Sequence, residues 1–301
     1  MNWCSAKNKL IILFLSINIV LGWANYRKES TAYVLKETQV DDIKTILAEN
    51  NIYIDTTIPK EYKPLSKLTV SPFQINSVTR EEFVKRLLNT LEGVTVSIEA
   101  AKAPNQKPRR IYSKNDEIII FEGENILYQH QGKVEARDSK EMGSNPFNKD
   151  QALKIAEKWL KQMAYSPRKM HRQTVEEADG MYIIYYDKYE GIPVFDSYVK
   201  IKMTSSGINE VEIHKVELGE AVGEKQEIYS GDQVAFYLIQ QIATREPTHI
   251  KDIMLGYALE NPKGTHLIAE KALPFYQVIL EDGRIYYINA YNSEIREEPQ
   301  I

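Results

Sequence analysis

Cysteine is almost absent from this chain: the only one is Cys4. No intramolecular disulfide can form, so the rest of the molecule must be held together by packed cores. A lipid-attachment cysteine is excluded as well, because Cys4 stands ahead of the apolar run that such a residue should follow. Strong charge of either sign is also lacking. The formal net charge is −4 over 301 residues, and a mildly acidic chain has no general reason to bind nucleic acid. Catalytic signatures are missing too: no G-x-S-x-G, G-x-x-x-x-G-K, G-x-G-x-x-G or H-E-x-x-H occurs. The five histidines, His130, His171, His214, His249 and His266, share no metal-ligand spacing. His214 with Glu217 comes nearest, but on an expected strand that separation places the two on opposite faces. The adjacent acids Asp41-Asp42 and Glu176-Glu177 read as solvated charges on a helix start and a loop. No catalytic residue, metal or cofactor is expected, and the chain is read as a non-enzyme.

What is present first is a run without charge, Leu10 to Ala24 (LIILFLSINIVLGWA), behind Lys7 and Lys9. As a helix it covers about two-thirds of a hydrocarbon core of roughly 30 Å. Counted from Trp3 to Trp23 it reaches about the full thickness, with an indole near each interface and lysine stems able to snorkel. The expectation is a short cytoplasmic tail over 1–9, a membrane anchor over 10–24, and the bulk of the chain outside the cytoplasm. Lys7 and Lys9 before the run are matched by Arg27 and Lys28 after it, so charge alone does not orient it. The ending Gly22-Trp23-Ala24 also satisfies the pattern of a cleaved secretory signal, and both readings stand on these residues. Ser16 and Asn18 are polar inside the run, where such groups tend to find partners on another helix. With Trp23 they are the candidate partner-binding residues.

Composition beyond the run is ordinarily globular, 43% hydrophobic and 27% charged, with room for two domains. Thr38-Gln39-Val40-Asp41 reads as a helix start, with Val40, Ile43, Ile46 and Leu47 inward and Asn50-Asn51 at its end. A short strand is expected over 52–54, then an irregular Pro-punctuated connection over 59–72. Thr79-Arg80-Glu81-Glu82 opens a second helix presenting Phe83, Leu87, Leu88 and Leu91, stopped by Gly93. Strands follow over 94–98, 110–112, 117–121 and 126–129. The basic loop Lys102 to Arg110 reads as solvated before it reads as a contact for anionic lipid or wall polymer.

The polar stretch 135–146 is the expected domain boundary, dividing 31–140 from 146–301. After it one pattern is written twice, over 148–219 and 230–297: a capped amphipathic helix, then three strands. The first copy has Asn148 as N-cap and Ala152, Ala156, Trp159, Leu160 and Met163 on one face, with strands over 181–187, 195–203 and 209–217. The second opens with the capping box Ser230-Gly231-Asp232-Gln233, turns Val234, Leu238 and Ile242 inward, and continues with strands over 253–260, 274–280 and 284–290. The fold class is α+β: antiparallel sheets with helices packed on one face. Tyrosines are plentiful, 19 in all. The rows at Tyr182, Tyr185, Tyr186 and Tyr189, and at Tyr286, Tyr287 and Tyr291, read as cross-strand packing before they read as a partner surface.

Tyr189-Glu190-Gly191-Ile192-Pro193-Val194-Phe195 and the passage from Pro274 through Asp282-Gly283 to Ala290 resemble PepSY domains and the related propeptide domains of secreted metalloproteases. Met1-Asn2-Trp3, Ala6-Lys7, Leu13-Phe14-Leu15 and Asn18 resemble the opening of the YycI family, although Asn2 stands where an acidic residue is expected. The resemblance implies a retained single-pass anchor with the N-terminus cytoplasmic. It also implies partners: a sensor histidine kinase of WalK (YycG) type and a YycH-like regulator, in the cell-wall signalling of Gram-positive bacteria. The function expected on that basis is regulation of the kinase by protein contact. The alternative is a secreted PepSY-type protease inhibitor or propeptide-like chaperone.

Overall fold

The computed structural model describes residues 3–101, 107–130, 148–177, 180–242, 246–260 and 269–298. Helices occupy Trp3–Ala32 (α1), Glu37–Glu49 (α2), Ser77–Leu88 (α3), Lys149–Gln162 (α4) and Gly231–Ile242 (α5). Strands occupy Ile52–Ile54 (β1), Leu65–Pro72 (β2), Thr95–Glu99 (β3), Arg109–Lys114 (β4), Glu117–Glu122 (β5), Asn125–His130 (β6), His171–Glu177 (β7) and Gly180–Tyr189 (β8). They continue with Ile192–Thr204 (β9), Gly207–His214 (β10), Val216–Gln226 (β11), Thr248–Leu259 (β12), Glu270–Leu280 (β13), Ile285–Asn289 (β14) and Ile295–Glu298 (β15).

The chain forms two compact units that interleave along the sequence: Met1–Leu65, Glu224–Leu255 and Pro274–Ile301 in one, Ser66–Gly223 and Gly256–Leu273 in the other. The consecutive division into 31–140 and 146–301 is not how the contacts group, and the expected boundary at 135–146 lies outside the described residues. One boundary, near Gly223, falls between the two repeats, but the second repeat is itself divided, Gly256–Leu273 grouping with the unit that holds the first.

In the first unit, α2 and α5 bury Val40, Ile43 and Leu47 and Val234, Leu238 and Ile242 in one core with Ile52, Ile250, Tyr276, Val278 and Ile288. The backbone half of the capping box of α5 is present: the Ser230 backbone N–H donates to Gln233 Oε1 at 3.0 Å, and the Ser230 hydroxyl donates to the same oxygen at 3.0 Å. At α2 the N-cap is Lys36, two residues before the expected start, and its backbone N–H donates to Gln39 Oε1 at 3.1 Å. Strand β13 pairs antiparallel with β14, and β14 with β15. Strand β1 runs parallel to β12, a departure from the all-antiparallel expectation. β15 was not expected either, and it extends the second repeat to a helix and four strands.

In the second unit an antiparallel run passes β3-β4-β5-β6-β10-β9-β8-β7. Residues of α3 and α4, among them Val84, Leu88, Ala156 and Leu160, share a core with Ile119, Phe121, Ile126, Val199, Ile201, Met181, Ile183 and Tyr185. Asn148 caps α4 as expected, accepting from the backbone N–H groups of Asp150 and Gln151. The cap of α3 is Asn76, which accepts from the Thr79 N–H, so that helix starts one turn before the Thr79 box. The connection expected over 59–72 hides β2, whose Ser66, Leu68 and Val70 alternate inward and which pairs with β13 through Leu68, Thr69 and Val70. β7 was likewise not anticipated, nor was β11 after β10, so the first repeat has more than its three expected strands.

The expected anchor is helical but longer than 10–24. Helix α1 begins at Trp3, inside the stretch read as a tail, and runs to Ala32. Among the described residues no helix is long and apolar enough to cross a membrane. The stretch from Leu10 to Trp23 covers about 21 Å at 1.5 Å per residue, short of the roughly 30 Å of a hydrocarbon core.

Candidate functional site

Among the described residues helix α1 carries the longest run of exposed large hydrophobic side chains. From Leu10 to Trp23 its large hydrophobic side chains are 47–70% exposed, on every side of the helix and not along one stripe. A helix apolar all round requires cover from lipid or from other helices. The candidate residues on it do not share a face. At about 100° per residue, Ser16 and Trp23 lie within roughly 20° of each other, while Asn18 sits about 160° from Ser16. Ser16 Oγ donates to the Ile12 carbonyl at 2.9 Å and is satisfied within its own helix, as mid-helix serines commonly are. Trp23 is 58% exposed, and Asn18 is exposed.

The end of α1 is pinned to the unit it serves. The Leu35 N–H donates to the Lys60 carbonyl at 2.9 Å and the Tyr62 N–H to the Tyr33 carbonyl at 3.1 Å. Tyr62 Oη donates to the Ala32 carbonyl at 3.2 Å, and the Tyr33 and Tyr62 rings meet edge to face, centroids 5.9 Å apart. Val34 and Glu61 form an antiparallel bridge between the same two segments. Leu35 is buried in the core that α2 enters two residues later. Backbone hydrogen bonds and a ring pair thus join the end of α1 to the segment Lys60 to Tyr62 of the same unit.

Between α2 and α5 lies an open hollow of ≈ 300 Å³, lined by Gln39, Asp42, Ile43, Ile46, Asp232, Gln233, Phe236 and Tyr237. Ile46, expected to point inward, is 38% exposed there, and Phe236 is 49% exposed. Phe236 was not singled out from the sequence. The signal existed for Phe236: it stands two residues from both Val234 and Leu238, about 160° off the buried face.

The densest polar cluster of the first unit joins β1, β12 and the β13–β14 turn. Lys251 Nζ lies 2.8 Å from Asp55 Oδ2 and 3.1 Å from Glu281 Oε1. His249 Nδ1 is 3.2 Å from both Asp55 carboxylate oxygens, and its ring stacks on Tyr53. Hydrogen bonds from Lys251 and then His249 hold the Asp55 carboxyl below its usual range, and those to Asp55 and Glu281 raise Lys251. The groups form one exposed ion-pair cluster. Elsewhere His214 Nδ1 meets Asn125 Oδ1 at 2.6 Å and stacks on Tyr198. Among the described residues no group of three His, Cys, Asp or Glu could hold a metal ion. The tyrosine rows mostly pack: Tyr185, Tyr186, Tyr286 and Tyr287 are buried, and burial first of all pushes Tyr185 up to about 12.

The model of the family described as YycI protein matches residues 31–291. No curated protein matches the chain. Among solved structures the chain is similar to an uncharacterized protein from Eubacterium rectale ATCC 33656, with TM-score 0.54 and 14% identity over 82% of this chain and 90% of that one. That likeness supports the mixed α+β fold. It is also similar, at TM-score 0.44 and 15% identity, to YycH from Bacillus subtilis over 80% of this chain and 56% of that one. For the C-terminal domain of YpeB from Bacillus megaterium the values are 0.37 and 12%, over 75% and 99%.

Proposed function

The chain belongs to the YycI family, and from that premise we propose that it is a membrane-anchored regulator of a WalK (YycG)-type sensor histidine kinase. It acts by contact with the kinase and with a YycH-type partner, its N-terminus in the cytoplasm and both units outside it. The observation that carries the reading is α1: an apolar surface exposed all round, joined to a folded unit by a pinned junction. The apolar stretch is short for a bilayer, but the helical backbone continues on both sides of it. A short span is accommodated by local thinning and by flanking side chains that reach the headgroups. Asn18, an amide with no complement among lipid tails, is the proposed point of contact with a neighbouring span, and Ser16 and Trp23 occupy the opposite face.

Regulation requires a difference between states. Helix α1 must pack better against one signalling state of the kinase, by about 1–3 kcal/mol, or its presence shifts nothing. The pinned junction supplies the converse path, by which a partner seated on the first unit biases the helix. Two measurements test the reading. The intact mass of membrane-extracted protein is expected to retain residues 1–24; a chain beginning at Asn25 supports instead the secreted inhibitor or chaperone. In vesicles holding the kinase, replacing 10–24 by an unrelated apolar span is expected to abolish the effect on autophosphorylation. Full retention of the effect contradicts contact through α1 and leaves it a mere tether.

A further inference from the structure

The hollow between α2 and α5 combines exposed apolar side chains with charge of one sign. Ile46 and Phe236 are both exposed on it, although each helix already buries its other face in the core of the first unit. Tyr237 meets Phe236 and Tyr229 edge to face, centroids 6.5 and 5.5 Å apart, so the Phe236 ring stands against an aromatic wall and is left uncovered. Asp42 on α2 and Asp232 at the start of α5 border the hollow, and none of its lining residues is a lysine, arginine or histidine. Its complement is therefore an apolar body with a positive head close by. At ≈ 300 Å³ it stands at the lower end of small-molecule pockets, which enclose most of their ligand. An open hollow of this size takes instead one or two side chains of a peptide segment, as helix-in-groove sites do. Position narrows the occupant further. Four residues separate the end of α1 at Ala32 from the start of α2 at Glu37, and Gln39, on the hollow, is at most about 25 Å of extended chain from Ala32. The hollow is thus within reach of whatever stands beside the end of α1.

We propose that the α2–α5 hollow docks the stretch of the kinase that leaves the membrane beside α1. A large apolar side chain of that stretch seats between Ile46 and Phe236, and a lysine or arginine within one helical turn of it reaches Asp42 or Asp232. The inference rests on the anchored-regulator reading for the identity of the partner; the chemistry of the hollow stands without it. One or two seated side chains bury far less than the roughly 1,000 Å² of a stable interface, so the contact is weak between free chains. Carried in the same unit as α1, it becomes the second of two linked contacts, and a modest affinity then suffices.

The test places a photocrosslinking residue at Ile46 of the full-length chain in vesicles that hold the kinase, with the intact mass taken on the same sample. The expected product is an adduct with the kinase, mapped to a segment just outside its span that carries a lysine or arginine within one turn of a large apolar residue. Phe236→Ala and Asp42→Lys are each expected to lower its yield about fivefold or more, and Asp42→Glu to keep it. Phe236 and Asp42 are exposed, so the fold survives these changes, which an unchanged urea midpoint verifies. The same crosslinker at Val222, a comparably exposed residue of the other unit, is expected to give far less of the adduct. Full yield in Asp42→Lys overturns the proposal, as do equal yields from Ile46 and Val222 or an Ile46 adduct with a protein other than the kinase. A chain that retains residues 1–24 and gives no kinase adduct overturns the docking and leaves the anchored reading in place. A chain that begins at Asn25 overturns both.

Discussion

Replacing Tyr62 tests whether the junction after α1 is as stiff as its contacts imply. Tyr62→Phe keeps the ring against Tyr33 and removes one 3.2 Å hydrogen bond to the Ala32 carbonyl, an exposed bond of about 0.5 kcal/mol. Tyr62→Ala removes in addition the edge-to-face pair, about 0.5–1.5 kcal/mol, and the burial of half a ring, about 1 kcal/mol. The sum is about 2–3 kcal/mol, acting locally on the segment whose Leu35 and Tyr62 amides bond to Lys60 and Tyr33. Native-state hydrogen exchange reads such a local opening directly. At 1.4 kcal/mol per factor of ten, Tyr62→Ala should speed exchange at those two amides roughly 30- to 150-fold and Tyr62→Phe about twofold. Amides of α5 should change little. If Leu35 and Tyr62 stay fully protected in the alanine variant, the ring and its hydroxyl are not what holds the junction, and the path from α1 to the first unit must be sought elsewhere.

Leu238→Ala, at a position with no exposure in the shared core of α2 and α5, should cost about 3 kcal/mol in denaturant unfolding; a cost under about 1 would mean the two helices are not packed as described. Phe236→Ala, two residues away but half exposed, should stay within about 0.5 kcal/mol, so a large loss there would refute its place on the open hollow. Gln233→Ala, which removes the acceptor of both the Ser230 backbone N–H and the Ser230 hydroxyl at 3.0 Å, should cost about 1 kcal/mol, and an unchanged midpoint would contradict that part of the helix start. For pH, the Asp55 carboxyl is held low by Lys251 and His249. Burial opposes the same effect at Glu124, where the Lys107 hydrogen bonds nevertheless keep it low. Their contribution is present above the ordinary values of 3.8 and 4.5 and is lost as pH falls through the lowered ones. Lys251 is raised, so its contribution is complete below 10.5 and fades as pH rises through the raised value. Urea midpoints should therefore fall at acid pH and again at strongly alkaline pH. A pronounced fall confined to about pH 6–8 would contradict this set of groups.

Much of the local structure could be read from the residues because the relevant physics is local. Asn148 and the spacing of Ala152, Ala156 and Leu160 specify α4 with few rivals, and Ser230 with Gln233 does the same for α5. The alternation around Asn115 and Gly123, both at positive φ, marks the turns of the β4–β6 meander. What escaped depends on distant partners. β2 is bracketed by Pro64 and Pro72 and becomes a strand because Leu68 to Val70 meet Glu270 to Ala272. β1 joins β12 in parallel across nearly two hundred residues, and no local signal announces it. The interleaving of the two units follows from such pairings, which is why a consecutive division could not anticipate it. At the site, the apolar run and its polar members were visible, and helical geometry alone separates Asn18 from Ser16 and Trp23. The pinned junction was not visible, since it is made by Lys60 to Tyr62 in a passage that read as irregular.

The central claim is that α1 remains attached and packs its Asn18 face against the kinase spans. The most direct measurement is a photocrosslinker introduced one position at a time from Leu10 to Trp23 in the native membrane. The account predicts adducts with the sensor kinase at Asn18 and at Leu15 and Leu21, which share its face at three-residue spacing, with few at Ser16 and Trp23. Adducts with lipid alone at every position, or recovery of a chain that begins at Asn25, would contradict it.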